Sequence, residues 1–349
     1  MRQVLMTLVA VLSMSVAIGA AETIPVQGAG ATFPAPLYSK WVATYNAANP
    51  SVKVDYQAIG SGGGIKGITD RTVTFGATDG PMTEEQLKAA PGKIVHIPMV
   101  AGCEAMVYNL PGLNDLTLNG SVVADIYLGK ITKWNDAKIA ALNNGVALPD
   151  KDIVVAHRSD GSGTTWIFTN YLSKVSEDWQ KNVGNANSVK WPVGLGGKGN
   201  AGVSQVVQQT EGSIGYVELA YLKTNKMQMA HLLNKDGKKV DPSREGTLEA
   251  MNYFDPAEMP EDMRISITNL PGEKAYPISG VTYLLVYQDL TYLANKDKAT
   301  ELAKYVKWAL TEGQNMAADL DYARLPDVIQ KKVIANLSKI VYEGKPVLP

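Results

Sequence analysis

Strand-like and helix-like segments alternate along almost the whole chain, and that alternation restricts it to an α/β architecture. Residues 52–59 alternate apolar and polar positions with period two and stop at Gly60, as a half-buried strand does. In residues 36–48, Leu37, Trp41, Val42 and Tyr45 fall on one helical face, with Pro36 in the favoured first turn. The same reading predicts strands at 73–77, 94–100, 105–109, 153–156, 213–217 and 280–287. It predicts further helices at 83–90, 164–175, 296–311 and 327–340. No internal repeat or low-complexity linker interrupts the pattern, so any second domain must be joined by short crossings.

Three places share one local design, a strand followed by a loop of Gly, Ser or Thr and then a helix start. They are Gly28-Ala-Gly-Ala-Thr32-Phe33-Pro34-Ala-Pro36, Gly60-Ser61-Gly62-Gly63-Gly64, and Arg158-Ser-Asp160-Gly161-Ser162-Gly163-Thr164. A helix N-terminus leaves unpaired N–H groups and a partial positive charge, so it can hold an anion. Glycine permits close backbone approach, and Ser or Thr hydroxyls add donors. Each loop taken singly has a duller explanation, as an ordinary cap or turn. Three together, with the planar fork of Arg158, are what a tetrahedral oxyanion needs, because its donors must converge from several directions. Without the Gly-Ser-Gly-Thr that follows, Arg158 reads as a surface partner of Asp160.

Asp79, in Phe75-Gly-Ala-Thr-Asp79-Gly-Pro81, reads either as a turn former after a strand or as a carboxylate facing the anion. The second role makes sense only if the ligand itself carries a proton. Hydrogen phosphate does near neutral pH, its second pKa being about 6 or slightly higher, and sulfate does not.

Other signals exclude more than they suggest. Gly194-Leu-Gly196-Gly-Lys198-Gly199 fits a bare GxGxxG, but no clear strand precedes it, and Lys198 lacks the Ser or Thr of a P-loop. His96, His157 and His231 are scattered without clustered Cys or carboxylates, so no metal or cofactor is expected. Cys103, the single cysteine, reads as a small buried hydrophobe, and the six tryptophans read as packing. A serine hydrolase built on Ser162 or Ser61 is the main rival. Asp160 stands where a G-x-S-x-G elbow needs glycine, and no histidine is obviously a base for either serine.

Arg2, the apolar run 4–18 and the small residues Gly19, Ala20 and Ala21 have the form of a secretory signal peptide cut after Ala21. The run of 15 residues falls short of the about 20 a spanning helix needs. The mature chain, 22–349, carries 32 basic against 34 acidic residues, a balance unsuited to nucleic acid.

Taken in order, the motifs resemble the periplasmic phosphate-binding proteins of bacterial phosphate ABC transporters, the PstS family. The resemblance runs from Gly28 to near the C-terminus. It adds to the three loops Asp125-Ile-Tyr-Leu-Gly-Lys130, Trp191-Pro-Val-Gly-Leu-Gly-Gly-Lys-Gly-Asn200, Gly215-Tyr-Val-Glu218 and Leu320-Asp-Tyr-Ala-Arg-Leu-Pro326. It implies phosphate ligands at Thr32, Phe33 (through its backbone N–H), Ser61, Asp79, Arg158, Ser162, Gly163 and Thr164, with Asp160 pairing Arg158. It departs at Gly62, where many members have a second Ser, and at His157, where some have Arg. It further implies a two-lobed periplasmic binding protein fold, with one lobe of residues 22–98 and 274–349, the other of 99–273, and the ion in the cleft between them. A monomer without catalytic activity, handing phosphate to a membrane permease driven by a separate ATPase, completes the expectation.

Overall fold

Residues 23–348 are described by a computed structural model, in which strands and helices alternate around a ten-stranded sheet. The signal segment assigned to residues 1–21 lies outside the described residues. In chain order, strand β1 (Ile24–Gly30) leads to helix α1 (Ala35–Ala48), and strand β2 (Val52–Ala58) to helix α2 (Ser61–Thr69). Strand β3 (Phe75–Thr78) ends at Asp79, and the long strand β4 (Ile94–Tyr108) follows. Strand β5 (Val154–Arg158) leads to helix α3 (Gly163–Val175), and strand β6 (Leu195–Gly197) to helix α4 (Gly199–Gln209). Strands β7 (Ser213–Glu218) and β8 (Ser279–Tyr287) complete the main path.

The sheet order is β2-β1-β3-β8-β4-β7-β5-β6. β1, β2 and β3 are mutually parallel, and so are β5, β6 and β7. β8 and β4 run antiparallel between the two sets. In a parallel set every strand ends on the same side, and ligands of α/β folds bind beyond those carboxyl ends. Here two such sets carry all three donor loops.

β4 is one continuous strand where the sequence predicts two, at 94–100 and 105–109. Its first part, as far as Cys103, pairs with β8, and Glu104–Tyr108 pairs with β7. The backbone changes partner without losing its ladder, so residues 101–104 stay extended through pairing with Ser279 to Val281, Ala323 and Glu218. Those partners lie more than 100 residues away, and nothing local in the sequence announces them. Helix 327–340 is shorter than predicted, running Asp327–Asn336 before a tight 3-10 turn.

Cys103 is fully buried, and burial pushes its thiol well above the ordinary value, in keeping with a small core residue. Trp41, Trp134 and Trp179 are buried in the core, while Trp166, Trp191 and Trp308 pack against it. Among the described residues, no helix is long and apolar enough to cross a membrane.

Candidate anion-binding site

The site lies where β1, β2, β3, β5 and β6 end. Pro34 and Gly60 precede α1 and α2 and supply no side-chain cap, so the first N–H groups of those helices are left to other acceptors. Ser162 does cap α3, its Oγ accepting the Thr165 N–H at 3.0 Å. Gly60 sits at φ +91°, and a Cβ there would lie 2.3 Å from Asp160 Oδ2, so only glycine lets the second loop meet the third.

The structure brings every residue of the expected set together. Thr32, Phe33, Ser61, Asp79, Arg158, Ser162 and Thr164 are all buried, with exposures between 0 and 8%, and Gly163 is the buried first residue of α3. Asp160 holds the Arg158 guanidinium through two bonds, Nε to Oδ1 at 2.8 Å and Nη2 to Oδ2 at 2.6 Å. Against the upward push of burial, that bidentate contact keeps the Asp160 carboxyl below its usual value. Arg158 Nη1 donates onward to Thr164 Oγ1 at 3.1 Å. Tyr322 and Tyr221 fix the first loop by donating to the carbonyls of Phe33 (2.7 Å) and Thr32 (2.8 Å).

The loops also touch one another directly. The Gly163 N–H donates to Ser61 Oγ at 2.9 Å, and the Gly62 N–H donates to the Gly161 carbonyl at 2.8 Å. A Cβ on Gly163 would come within 2.5 Å of Asp79, so the helix start and the carboxylate are in van der Waals contact. Ser61 Oγ accepts from Asp79 N–H as well, at 3.3 Å.

Asp79 is 1% exposed, and its Oδ1 has no hydrogen-bond partner. Burial pushes its carboxyl from 3.8 up to about 7, against the pull of the neighbouring Thr282 hydroxyl, the Arg158 cation and the Ser61 hydroxyl. The sequence reading treats Asp79 as an acceptor only. The structure makes it a group that changes from donor to acceptor near neutral pH.

Beneath it lies a pair of acids that the sequence reading leaves out of the site. Glu104 and Glu218 face each other across the β4–β7 ladder, both with no exposed surface. Both oxygens of Glu104 and one of Glu218 are unpartnered, while Glu218 Oε2 accepts the Ala220 N–H at 2.8 Å. Burial, with Asp79 and each other's charge close by, drives the Glu104 carboxyl well above its usual value, and burial does the same to Glu218. An acid with a raised folded-state pKa stabilises fully below its unfolded value of about 4.5, and that stability is lost as pH rises toward the folded value. Glu104→Gln removes this loss. Its melting temperature relative to the parent is expected to rise as pH climbs above about 5, and a pH-independent difference would contradict the assignment.

Sequence reasoning also missed Asn200, a fully buried amide one residue into α4, whose contacts reach both Thr32 and Thr164. The signal was the Gly194–Gly199 run, set aside for want of a preceding strand. That run itself forms β6, an edge strand parallel to β5, and so repeats the strand–loop–helix design a fourth time.

The chain is similar to known proteins in sequence and in fold. The PBP superfamily domain matches residues 15–312. The Phosphate-binding protein PstS of Pasteurella multocida is 44% identical over 314 residues, 89% of each chain. That of Haemophilus influenzae is 44% identical over 312 residues, covering 88% of this chain and 91% of the other. Among solved structures, a phosphate-binding protein from Stenotrophomonas maltophilia superposes with a TM-score of 0.68 at 20% identity, over 90% of this chain and 94% of that one, a likeness of fold. Matched over nearly its whole length by relatives of this identity, the chain belongs to the PstS family of phosphate-binding proteins, with the periplasmic binding protein fold.

Proposed function

We propose that this chain captures inorganic phosphate in the periplasm and delivers it, chemically unchanged, to the membrane permease of an ABC transporter. The observation that carries the reading is the convergence of the buried Arg158 fork and the hydroxyls of Thr32, Ser61, Ser162 and Thr164 on one place, beside the unpartnered Oδ1 of Asp79. The Phe33 N–H, which donates to no acceptor among the described residues, joins them as an anion ligand, and so do the N–H groups at the start of α3 when Ser61 gives up Gly163. The names of the family's curated members support phosphate as the ion.

The lobes of the proposal are residues 22–98 with 274–349, and residues 99–273. Support for a hinge between them comes from β4 and β8, the strands that lie between the two parallel sets. Closure brings Ser61 to Gly163 and Thr32 to Asn200, so only the closed state offers all donors at once. Removal of residues 1–21 on export places the protein in the periplasm as a monomer.

Catalysis by Ser162 or Ser61 finds no histidine base among the described residues. His157 stacks on Trp191, with Nδ1 at 3.0 Å from the Arg158 carbonyl, His96 accepts the Met82 N–H, and His231 pairs with Asp241. Isothermal titration with phosphate, arsenate and sulfate, beside an assay for release of phosphate from an ester, tests the reading. Saturable one-to-one binding of free phosphate without turnover is expected; ester hydrolysis, or no phosphate binding, would overturn it.

A further inference from the structure

We infer that Asn200 is the positioning residue that forces the Thr32 and Thr164 hydroxyls to act as donors, and so decides which oxygens of the bound ion must be unprotonated. The inference rests on the phosphate reading above and extends it to a residue that touches no ion. Asn200 has no exposed surface, and its amide orientation is fixed by one obligate donor, the Glu218 backbone N–H, at 2.9 Å from Oδ1. With Oδ1 committed there, Nδ2 must face the other way. It donates to Thr32 Oγ1 at 3.0 Å and to Thr164 Oγ1 at 3.1 Å.

A threonine hydroxyl has two lone pairs and one hydrogen. Thr164 Oγ1 receives Asn200 Nδ2 and Arg158 Nη1, both at 3.1 Å, so its lone pairs are used. Thr32 Oγ1 receives the same amide and, at 3.4 Å, the Asn200 backbone N–H. Neither hydroxyl can accept from a ligand; each has only its hydrogen to give. An oxyanion oxygen facing Thr32 or Thr164 must therefore be bare, and any proton the ion carries is steered away from them, toward the Asp79 carboxylate. One amide thus sets the polarity of two hydroxyls that come from loops 132 residues apart in the chain.

The test is a set of phosphate titrations on the full mature chain. Asn200→Ala frees both hydroxyls to turn and is expected to weaken phosphate about tenfold, the worth of one ordinary hydrogen bond. Asn200→Asp keeps the shape and the acceptor for Glu218 but offers the threonines a carboxylate to donate to. It should weaken phosphate more than Asn200→Ala does, and it serves where the alanine variant folds poorly. The deciding readout is non-additivity. In a Thr32→Val/Thr164→Val background, Asn200→Ala should cost less than twofold, because there is no hydroxyl left to orient. An equal tenfold loss in both backgrounds would show a merely structural role and overturn the inference, as would parent-like affinity in Asn200→Ala and Asn200→Asp. A parent that fails to bind phosphate would instead sink the functional reading, and this inference with it.

Discussion

Arg158→Ala is expected to raise the phosphate dissociation constant about 10²- to 10³-fold. Among the described residues proposed as ligands, Arg158 is the one Lys or Arg, its side chain 1% exposed, and Asp160 holds it in a bidentate pair while it donates to Thr164. Truncation therefore does more than subtract an attraction. It leaves the Asp160 carboxylate, 15% exposed, without its partner and beside an incoming anion. Breaking one side of a buried hydrogen-bonded charge pair costs about 2–5 kcal/mol, and each 1.4 kcal/mol is about tenfold in affinity. Arg158→Lys retains a charge but not the fork, so it should fall between parent and alanine. Titration calorimetry with phosphate, beside thermal melting to confirm folding, reads the effect. Parent-like binding by Arg158→Ala would place the anion elsewhere.

Asp79→Asn is expected to admit sulfate, with a gain of about a hundredfold in sulfate affinity at pH 8 and a small change for phosphate. Sulfate brings no proton, so at pH 8 it must face the ionised Asp79 across a water-poor cleft. Like charges so placed cost several kcal/mol. The amide offers an N–H to sulfate and an oxygen to the P–OH of phosphate. The carboxyl's value of about 7 adds a pH signature. Below pH 7 the parent's Asp79 takes up a proton and can donate, so its sulfate affinity should rise as pH falls from 8 to 5.5. Above pH 7 that affinity should be lost. Of the other groups facing Asp79, Glu104 and Glu218 are acids whose carboxyls burial pushes well above their usual value, and Arg158 is the cation. In Asp79→Asn the sulfate affinity should be flat over the same range. Sulfate competition against labelled phosphate at several pH values makes the measurement. Equal sulfate competition in parent and variant at pH 8 would remove Asp79 from the selectivity of the site.

The α/β alternation and the chemistry of the three loops are legible along the chain. They are so because helix N-termini, glycine's freedom and the donors of Ser, Thr and Arg are properties of a few adjacent residues. The Arg158–Asp160 pair, two residues apart, belongs to the same class, and it forms as the local spacing implies. What depended on distant pairing was decided only by the tertiary structure. β4 runs unbroken because β8 and β7 receive it in turn. Asp79 becomes a group titrating near neutrality because burial, which no local pattern sets, removes water from its carboxyl. Glu104 and Glu218 form a pair through the register of a ladder joining residues 114 positions apart. Asn200 reaches Thr32 and Thr164 because β6 takes the sheet edge beside β5, a placement that depends on its neighbour rather than on its own three residues. Local backbone chemistry can be read along the chain, whereas desolvation and register exist only once the chain has folded back on itself.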